Sequence, residues 1–351
     1  MIDKRPLLEV HALVKTFHLG NSIFGVGAAV RAVDGVDLAF YPGESLAIVG
    51  ESGCGKSTLA RCIAGLARPT SGEVRFEGMD IWRLKPAARH AFQRRVQPVF
   101  QDPLSSLDPR WTVEQTIREP LDIYAVGTSD ERKKRVAELM QHVGLPVSFR
   151  TRRPHELSGG QCQRVGIAAA LALQPALLVA DEPVSALDVS VRAQILNLLA
   201  RLRQELGLAL VLITHDLAVV EHISDRIAVM YLGRIVEVGL TRQVLEDPIH
   251  PYTKALIESI PYPDPSRKIA GGRLRGEVPS AVAPPPGCHF HPRCPLAVAK
   301  CSTVEPTLTD FGGGRVAACH VAEANRGSRI PRVRGADAGN SGIGTEHSLS
   351  W

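Results

Sequence analysis

The chain has 351 residues, 44% of them hydrophobic and 22% charged, with a formal net charge of +5. That length allows one large α/β domain with an appendage, or two modest domains. The mildly basic balance does not by itself argue for nucleic acid, and no apolar run reaches the ~18 residues of a membrane helix. Met1 to Pro6 has no apolar core or cleavage site, so no signal peptide is expected.

In chain order, Leu7 to Val14 alternates loosely and predicts a strand, and Lys15-Thr16-Phe17 follows. His18 to Ala29 is rich in Gly and Ala and predicts an irregular loop. Val30 to Phe40 predicts strand with a turn at Asp34-Gly35. The apolar run Leu46 to Val49 then leads into Gly50-Glu51-Ser52-Gly53-Cys54-Gly55-Lys56-Ser57-Thr58. This fits the phosphate-binding pattern G-x-x-x-x-G-K-[ST] between a strand and a helix. Its glycines let backbone N–H groups turn inward around phosphate oxygens, and the helix N-terminus adds partial positive charge. Lys56 reaches outer phosphates, and Ser57 offers its hydroxyl to Mg²⁺. The loop predicts a nucleoside triphosphate, and by itself nothing about what the energy does.

Glu73 to Gly78 predicts a short hairpin strand, and Val96 to Phe100 a strand ending at Gln101-Asp102-Pro103. From Asp102 to Pro154 the pattern is helical, with a capping box at Thr128 and Glu131. A helix is expected from about Gly160 to Leu173. Next come a strand Leu177 to Ala180 closing on Asp181-Glu182-Pro183, a helix stopped by Gly207, and a strand Leu208 to Ile213 before Thr214-His215-Asp216. Alternating strands and helices imply a mostly parallel sheet covered on both faces. Ile227 to Val238 predicts a closing hairpin. From about Pro261 the composition turns to Pro and Gly, and after His320 disorder is expected.

Asp181, at a strand end, can hold Mg²⁺ through water opposite Ser57, and Glu182 can polarise an attacking water. His215 can contact the terminal phosphate. Leu157-Ser158-Gly159-Gly160-Gln161 is a second Gly-rich helix start, hence a second anion site.

This ordered set resembles the ATP-binding-cassette ATPases over roughly residues 7 to 260. Ser158, Gly159, Gly160 and Gln161 match the family signature, Gln101 the Q-loop, Ser185-Ala186-Leu187-Asp188 the D-loop and His215 the switch histidine. Phe17 sits where the family stacks an aromatic on adenine. The resemblance implies a RecA-like α/β core with an antiparallel β subdomain and a helical subdomain at about 102–160. It makes Glu182, His215 and Gln101 catalytic, with Ser57 and Gln101 on Mg²⁺. It also implies a head-to-tail dimer in which each phosphate loop faces the partner's signature. Cys162 departs from the larger polar or basic residue usual after the signature.

Four of the seven cysteines, Cys288, Cys294, Cys301 and Cys319, cluster late, with gaps of five, six and seventeen residues. By chemistry they could hold zinc or an iron–sulfur cluster, although the C-x-x-C pairs usual for zinc are absent. With His250-Pro251-Tyr252-Thr253 and Pro284-Pro285-Pro286-Gly287, the segment resembles the C-terminal extension of oligopeptide/dipeptide importer ATPases. That resemblance implies a [4Fe–4S] cluster on the four cysteines, a 261–321 extension and a disordered 322–351 tail. It further implies a second, hetero-meric ATPase subunit, two transmembrane permeases, an extracytoplasmic substrate-binding protein, a peripheral place on the cytoplasmic membrane face and no nucleic acid. Nickel or glutathione import is the alternative cargo reading. A non-transport cassette ATPase is the alternative class.

Overall fold

The computed structural model describes residues 5–19, 28–102, 104–259 and 276–326. Among these, the chain runs β1 (Leu8–Leu19), β2 (Ala28–Phe40), β3 (Ser45–Val49), α1 (Lys56–Ile63), β4 (Ser71–Phe76), β5 (Met79–Asp80), α2 (Pro86–Arg95), β6 (Val96–Val99), α3 (Val113–Ile123) and α4 (Ser129–His142). It continues α5 (Gly159–Leu171), β7 (Leu177–Asp181), α6 (Val189–Leu206), β8 (Ala209–Thr214), α7 (Leu217–Ile223), β9 (Arg226–Tyr231), β10 (Arg234–Leu240), α8 (Thr241–Glu246) and α9 (Pro251–Glu258). It ends with β11 (Thr309–Gly312), β12 (Arg315–Ala317) and α10 (His320–Ala324).

Two sheets form. One is four-stranded and antiparallel, in the order β2-β1-β4-β5. The other has eight strands, in the order β11-β12-β10-β9-β3-β8-β7-β6. Its β9-β3-β8-β7-β6 portion is parallel. The central strands are buried on both faces, so they lack polar alternation, as parallel strands between covering layers must. Successive side chains still point opposite ways. In β8, Val211 and Ile213 join the core shared with α1 and the four-stranded sheet, while Leu210 and Leu212 join the helical core. In β9, Ala228 and Met230 face the first of these cores. Ile227, Val229 and Tyr231 face a third, which also holds Tyr252 and Phe290.

The helical core gathers Val113, Ile117 and Leu121 of α3, Val136, Leu139 and Met140 of α4, and Cys162 and Val165 of α5. Both α3 and α4 start on capping boxes, Thr112 with Gln115 and Thr128 with Glu131.

Several expectations need correction. β1 continues to Leu19 and β2 begins at Ala28, so only the middle of the expected loop remains, and it lies outside the described residues. Asp34-Gly35 makes no turn. Leu13 pairs with Val36 and Lys15 with Val33, so the two residues form a bulge within one strand. The stretch from Leu104 to Trp111 is turns and bends, and helix begins only at Val113. The helices α2, α7, α8 and α9 had no counterpart in the sequence reading. The onset of the expected disordered tail is instead α10, and residues 327–351 lie outside the described residues. The cysteine-bearing segment also returns to the main sheet, pairing β12 with β10.

Candidate functional site

The carboxyl ends of four neighbouring parallel strands meet at one place. β3 runs into the phosphate loop, β8 precedes His215, β7 ends on Asp181, and β6 precedes Gln101. A sheet of this kind binds ligands outside such strand ends.

The phosphate loop wraps Lys56, which is only 4% exposed. Its ammonium donates to the carbonyls of Gly50 at 2.8 Å and Glu51 at 2.9 Å. Gly55 caps α1 with φ +105°. The Cys54 thiol is buried, and burial pushes its pKa up against the opposing charge of Lys56. Its carbonyl accepts from Gly233 N–H at 2.8 Å, so the β9–β10 turn supports the loop.

Ser57 Oγ donates to Asp181 Oδ1 at 2.8 Å. The residues expected on either side of Mg²⁺ are therefore already in contact. Burial pushes the Asp181 carboxyl up, the Ser57 hydrogen bond opposes this, and the Glu182 charge adds to it. Ser57 and Asp181 supply hard oxygen donors, which suit Mg²⁺.

Glu182 is the meeting point of the expected catalytic set. Gln101 Nε2 donates to its Oε2 at 3.3 Å, and His215 Nδ1 lies 3.6 Å from its Oε1. Its backbone sits at φ +45°, a conformation costing about 1–3 kcal/mol in a non-glycine residue. The Glu182 N–H donates to the Ile213 carbonyl at 3.0 Å, which pins it to β8. The side chain of His215 is 58% exposed, so its ring is available to a ligand.

Phe17 lies on β1 and is 45% exposed, its ring under the Lys15 ammonium at 5.2 Å. A face open to solvent fits the stacking role expected of it.

Ser158 caps α5 in a reciprocal box. Its hydroxyl accepts from Gln161 N–H at 3.3 Å, and Gln161 Oε1 accepts from Ser158 N–H at 2.9 Å. Ser158 and Gln161 thus bond to each other, and Ser158 is exposed to whatever approaches the helix start. The N–H groups of Gly159 and Gly160 stand outside the intrahelical ladder. A Cβ on Gly160 would come 2.4 Å from Val191 Cγ1, so packing against α6 dictates glycine there. Cys162 is fully buried, with Sγ 3.6 Å from the Pro154 carbonyl. Its small side chain packs into the helical core.

The four late cysteines lie near enough to one another that their charges interact, and burial raises the thiols of Cys288, Cys294 and Cys319. Among the described residues, however, no three His, Cys, Asp or Glu side chains converge as a metal site. The expected iron–sulfur ligation of Cys288, Cys294, Cys301 and Cys319 is therefore not carried by this geometry. Cys301 and Cys319 are buried in the cap's packing, while Cys288 and Cys294 flank the third core.

Sequence reasoning gave Tyr252 and Arg293 no role, yet both end on Glu51 of the phosphate loop. Their only sequence signal was two His-Pro pairs, His250-Pro251 and His291-Pro292. His250 is buried beside them, its Nδ1 accepting from Tyr252 N–H at 3.0 Å, and burial pushes its pKa down to about 3. Free imidazole titrates near 6.5, so below that pH the unfolded chain binds a proton that the native chain refuses. The stability from neutral His250 is complete above pH 6.5 and is lost as pH falls toward 3, by at most about 1.4 kcal/mol per pH unit. Urea unfolding at pH 7 and pH 5 should show a smaller acid loss in His250→Asn than in the parent. Equal losses would refute the assignment.

Among the described residues, no helix is long and apolar enough to cross a membrane. Residues 33–185 match the family model described as "ABC transporter", and residues 236–301 match "Oligopeptide/dipeptide transporter, C-terminal region". The chain is 52% identical to the "Probable peptide ABC transporter ATP-binding protein y4tS" of Sinorhizobium fredii, over 90% of each chain. It is 51% identical to the "Oligopeptide transport ATP-binding protein OppF" of Escherichia coli, over 87% of this chain and 93% of that one. Among solved structures, the dimeric post-hydrolysis state of the ATP-binding cassette MJ0796 bound to ADP and Pi is similar with a TM-score of 0.60. Its sequence is 32% identical, and the match covers 67% of this chain and 99% of that one.

Proposed function

Because this chain belongs to the ATP-binding-cassette transporter family, as a member with the oligopeptide/dipeptide-type C-terminal region, we propose that it powers peptide uptake as the ATP-hydrolysing subunit of an importer. The observation that carries the reading is the convergence of Gln101 and His215 on Glu182, beside the Ser57–Asp181 pair. In this reading Lys56 and the loop N–H groups bind the β- and γ-phosphates, and Ser57, Gln101 and Asp181 hold Mg²⁺. When bound, the ion neutralises developing charge on the phosphates. Glu182 takes the proton of the attacking water, and Gln101 and His215 orient that carboxylate. Phe17 stacks on adenine.

The exposed Ser158 box serves the triphosphate of a second ATPase subunit, which we propose is a different chain. Two permeases and a substrate-binding protein complete the assembly, with this subunit peripheral on the cytoplasmic membrane face. Exposed Phe100 and Leu104, flanking Gln101, support a permease contact there. The proposed units are the cassette at 7–260, the extension at 261–321 and the tail at 322–351. We retain a [4Fe–4S] role for the four cysteines as a separate proposal, supported by the number and type of these residues. Iron and sulfide in anaerobically purified protein would support it, and their absence would end it.

The test is co-purification from membranes with two permeases, followed by peptide uptake into vesicles loaded with ATP. Uptake should vanish in Lys56→Ala, whose ATP binding should weaken at least about a hundredfold. Uptake of nickel or glutathione but not peptides would replace the cargo, and a purified complex without permeases would refute the reading.

A further inference from the structure

Glu51, the second residue of the phosphate loop, is held from three sides. Its carbonyl accepts from Lys56 Nζ at 2.9 Å. Its N–H donates to the Tyr252 hydroxyl at 2.9 Å. Its carboxylate receives a two-pronged contact from Arg293, with Nη1 to Oε2 at 2.7 Å and Nη2 to Oε1 at 3.1 Å. Such forked pairs fix orientation as well as energy. Arg293 is 7% exposed, and its Nη1 also donates to the Tyr231 hydroxyl at 3.4 Å. Behind it, the rings of Tyr231, Tyr252 and Phe290 pack with centroids 4.6 to 5.4 Å apart.

Arg293 lies 242 residues from Glu51 in sequence, in the tight turn between Cys288 and Cys294. These contacts end on the loop whose carbonyls also receive the phosphate-binding lysine.

We propose that Arg293 is a positioning residue for the phosphate loop: by gripping the Glu51 carboxylate from the C-terminal cap, it holds the loop in the shape that receives triphosphate. The cap thereby sets ATP affinity without touching nucleotide. This rests on the loop being an ATP site and is independent of the transported cargo. Parent protein that binds ATP yet moves no peptide would sink the importer reading and leave this one standing.

The test uses the full chain. Arg293→Met keeps much of the buried stem and removes the fork. Titration with Mg-ATP should show about a tenfold weaker Kd, and the assembled complex should show a KM raised in step while kcat at saturating ATP stays within about threefold. Arg293→Lys, which restores charge but not the fork, should recover only part of the loss. It also provides the readout should Arg293→Met fail to fold. Adding Glu51→Gln to Arg293→Met should cause no further loss, because the two act through one contact.

Arg315→Met is the control, since it breaks a different cap ion pair, with Glu237 at 3.5 Å and Asp247 at 3.4 Å. It should lower the melting temperature and leave ATP affinity unchanged. A Kd for Arg293→Met within twofold of the parent, additive losses in the double variant, or an equal loss in Arg315→Met would each overturn the proposal.

Discussion

Glu182→Gln should bind Mg-ATP as tightly as the parent and turn it over roughly a hundred to ten thousand times more slowly, the range expected when a general base is removed. The substitution keeps size and shape. It therefore preserves the backbone contact to Ile213 and leaves the Ser57–Asp181 pair untouched. What it removes is the carboxylate on which Gln101 and His215 converge. A glutamine cannot accept the proton of an attacking water at neutral pH. Chemistry should stop with nucleotide still bound, and the subunit pair should accumulate in its closed form. Single-turnover kinetics would read the rate, and size-exclusion chromatography with ATP would read the pairing. Turnover within threefold of the parent would remove Glu182 from the mechanism.

Gly55→Ala should abolish ATP binding as completely as loss of the lysine. A Cβ there would lie 1.9 Å from the Ala32 carbonyl oxygen, and the residue's φ of +105° is one that L side chains rarely adopt. Ala32 belongs to β2, which is paired along its length with β1, so the strand cannot retreat. The loop must move instead, and it takes Lys56 with it. Gly53→Ala is the comparison. It has φ +77° but nothing within 4 Å of the added carbon, so it carries backbone strain without collision. The first variant should lose ATP affinity by at least about a hundredfold, and the second by about tenfold or less. Equal affinities in nucleotide titration would show that the collision is absorbed elsewhere.

The nucleotide site was legible because its parts are local. A glycine pattern, a carboxylate after four apolar residues and a histidine one threonine beyond six each lie at the end of a short buried run, and parallel pairing then aligns those ends. The same logic located the capping box at Thr128 and the helix start at Ser158. Other features were hidden because their causes are distant. Asp34-Gly35 looks like a turn until β1 supplies the partner that absorbs it as a bulge. Helix α2 has a weakly amphipathic sequence whose one buried residue is Phe92, so periodicity could not announce it. Arg293 and Tyr252 carry only a neighbouring His-Pro pair as local signal, which says nothing of their contact with Glu51. The four cysteines were legible only as a residue type: Cys301 and Cys319 are buried and Cys288 and Cys294 half-buried in the cap.

The pairing of β12 with β10 has a consequence for handling. Parallel sheets leave unpaired strands at their margins, and such margins recruit other chains. At one margin β6 carries Pro98, which lacks an N–H to offer. At the other, Glu237 pairs with Ala317 and Val238 with Val316, so the hairpin of β11 and β12 shields the end of the cassette. A chain cut at residue 260 would expose β10 along with the buried carboxylate of Glu237, and it should precipitate or pair edge to edge. The extension therefore does more than append a cap: it supplies the strand that covers the margin of the cassette's sheet.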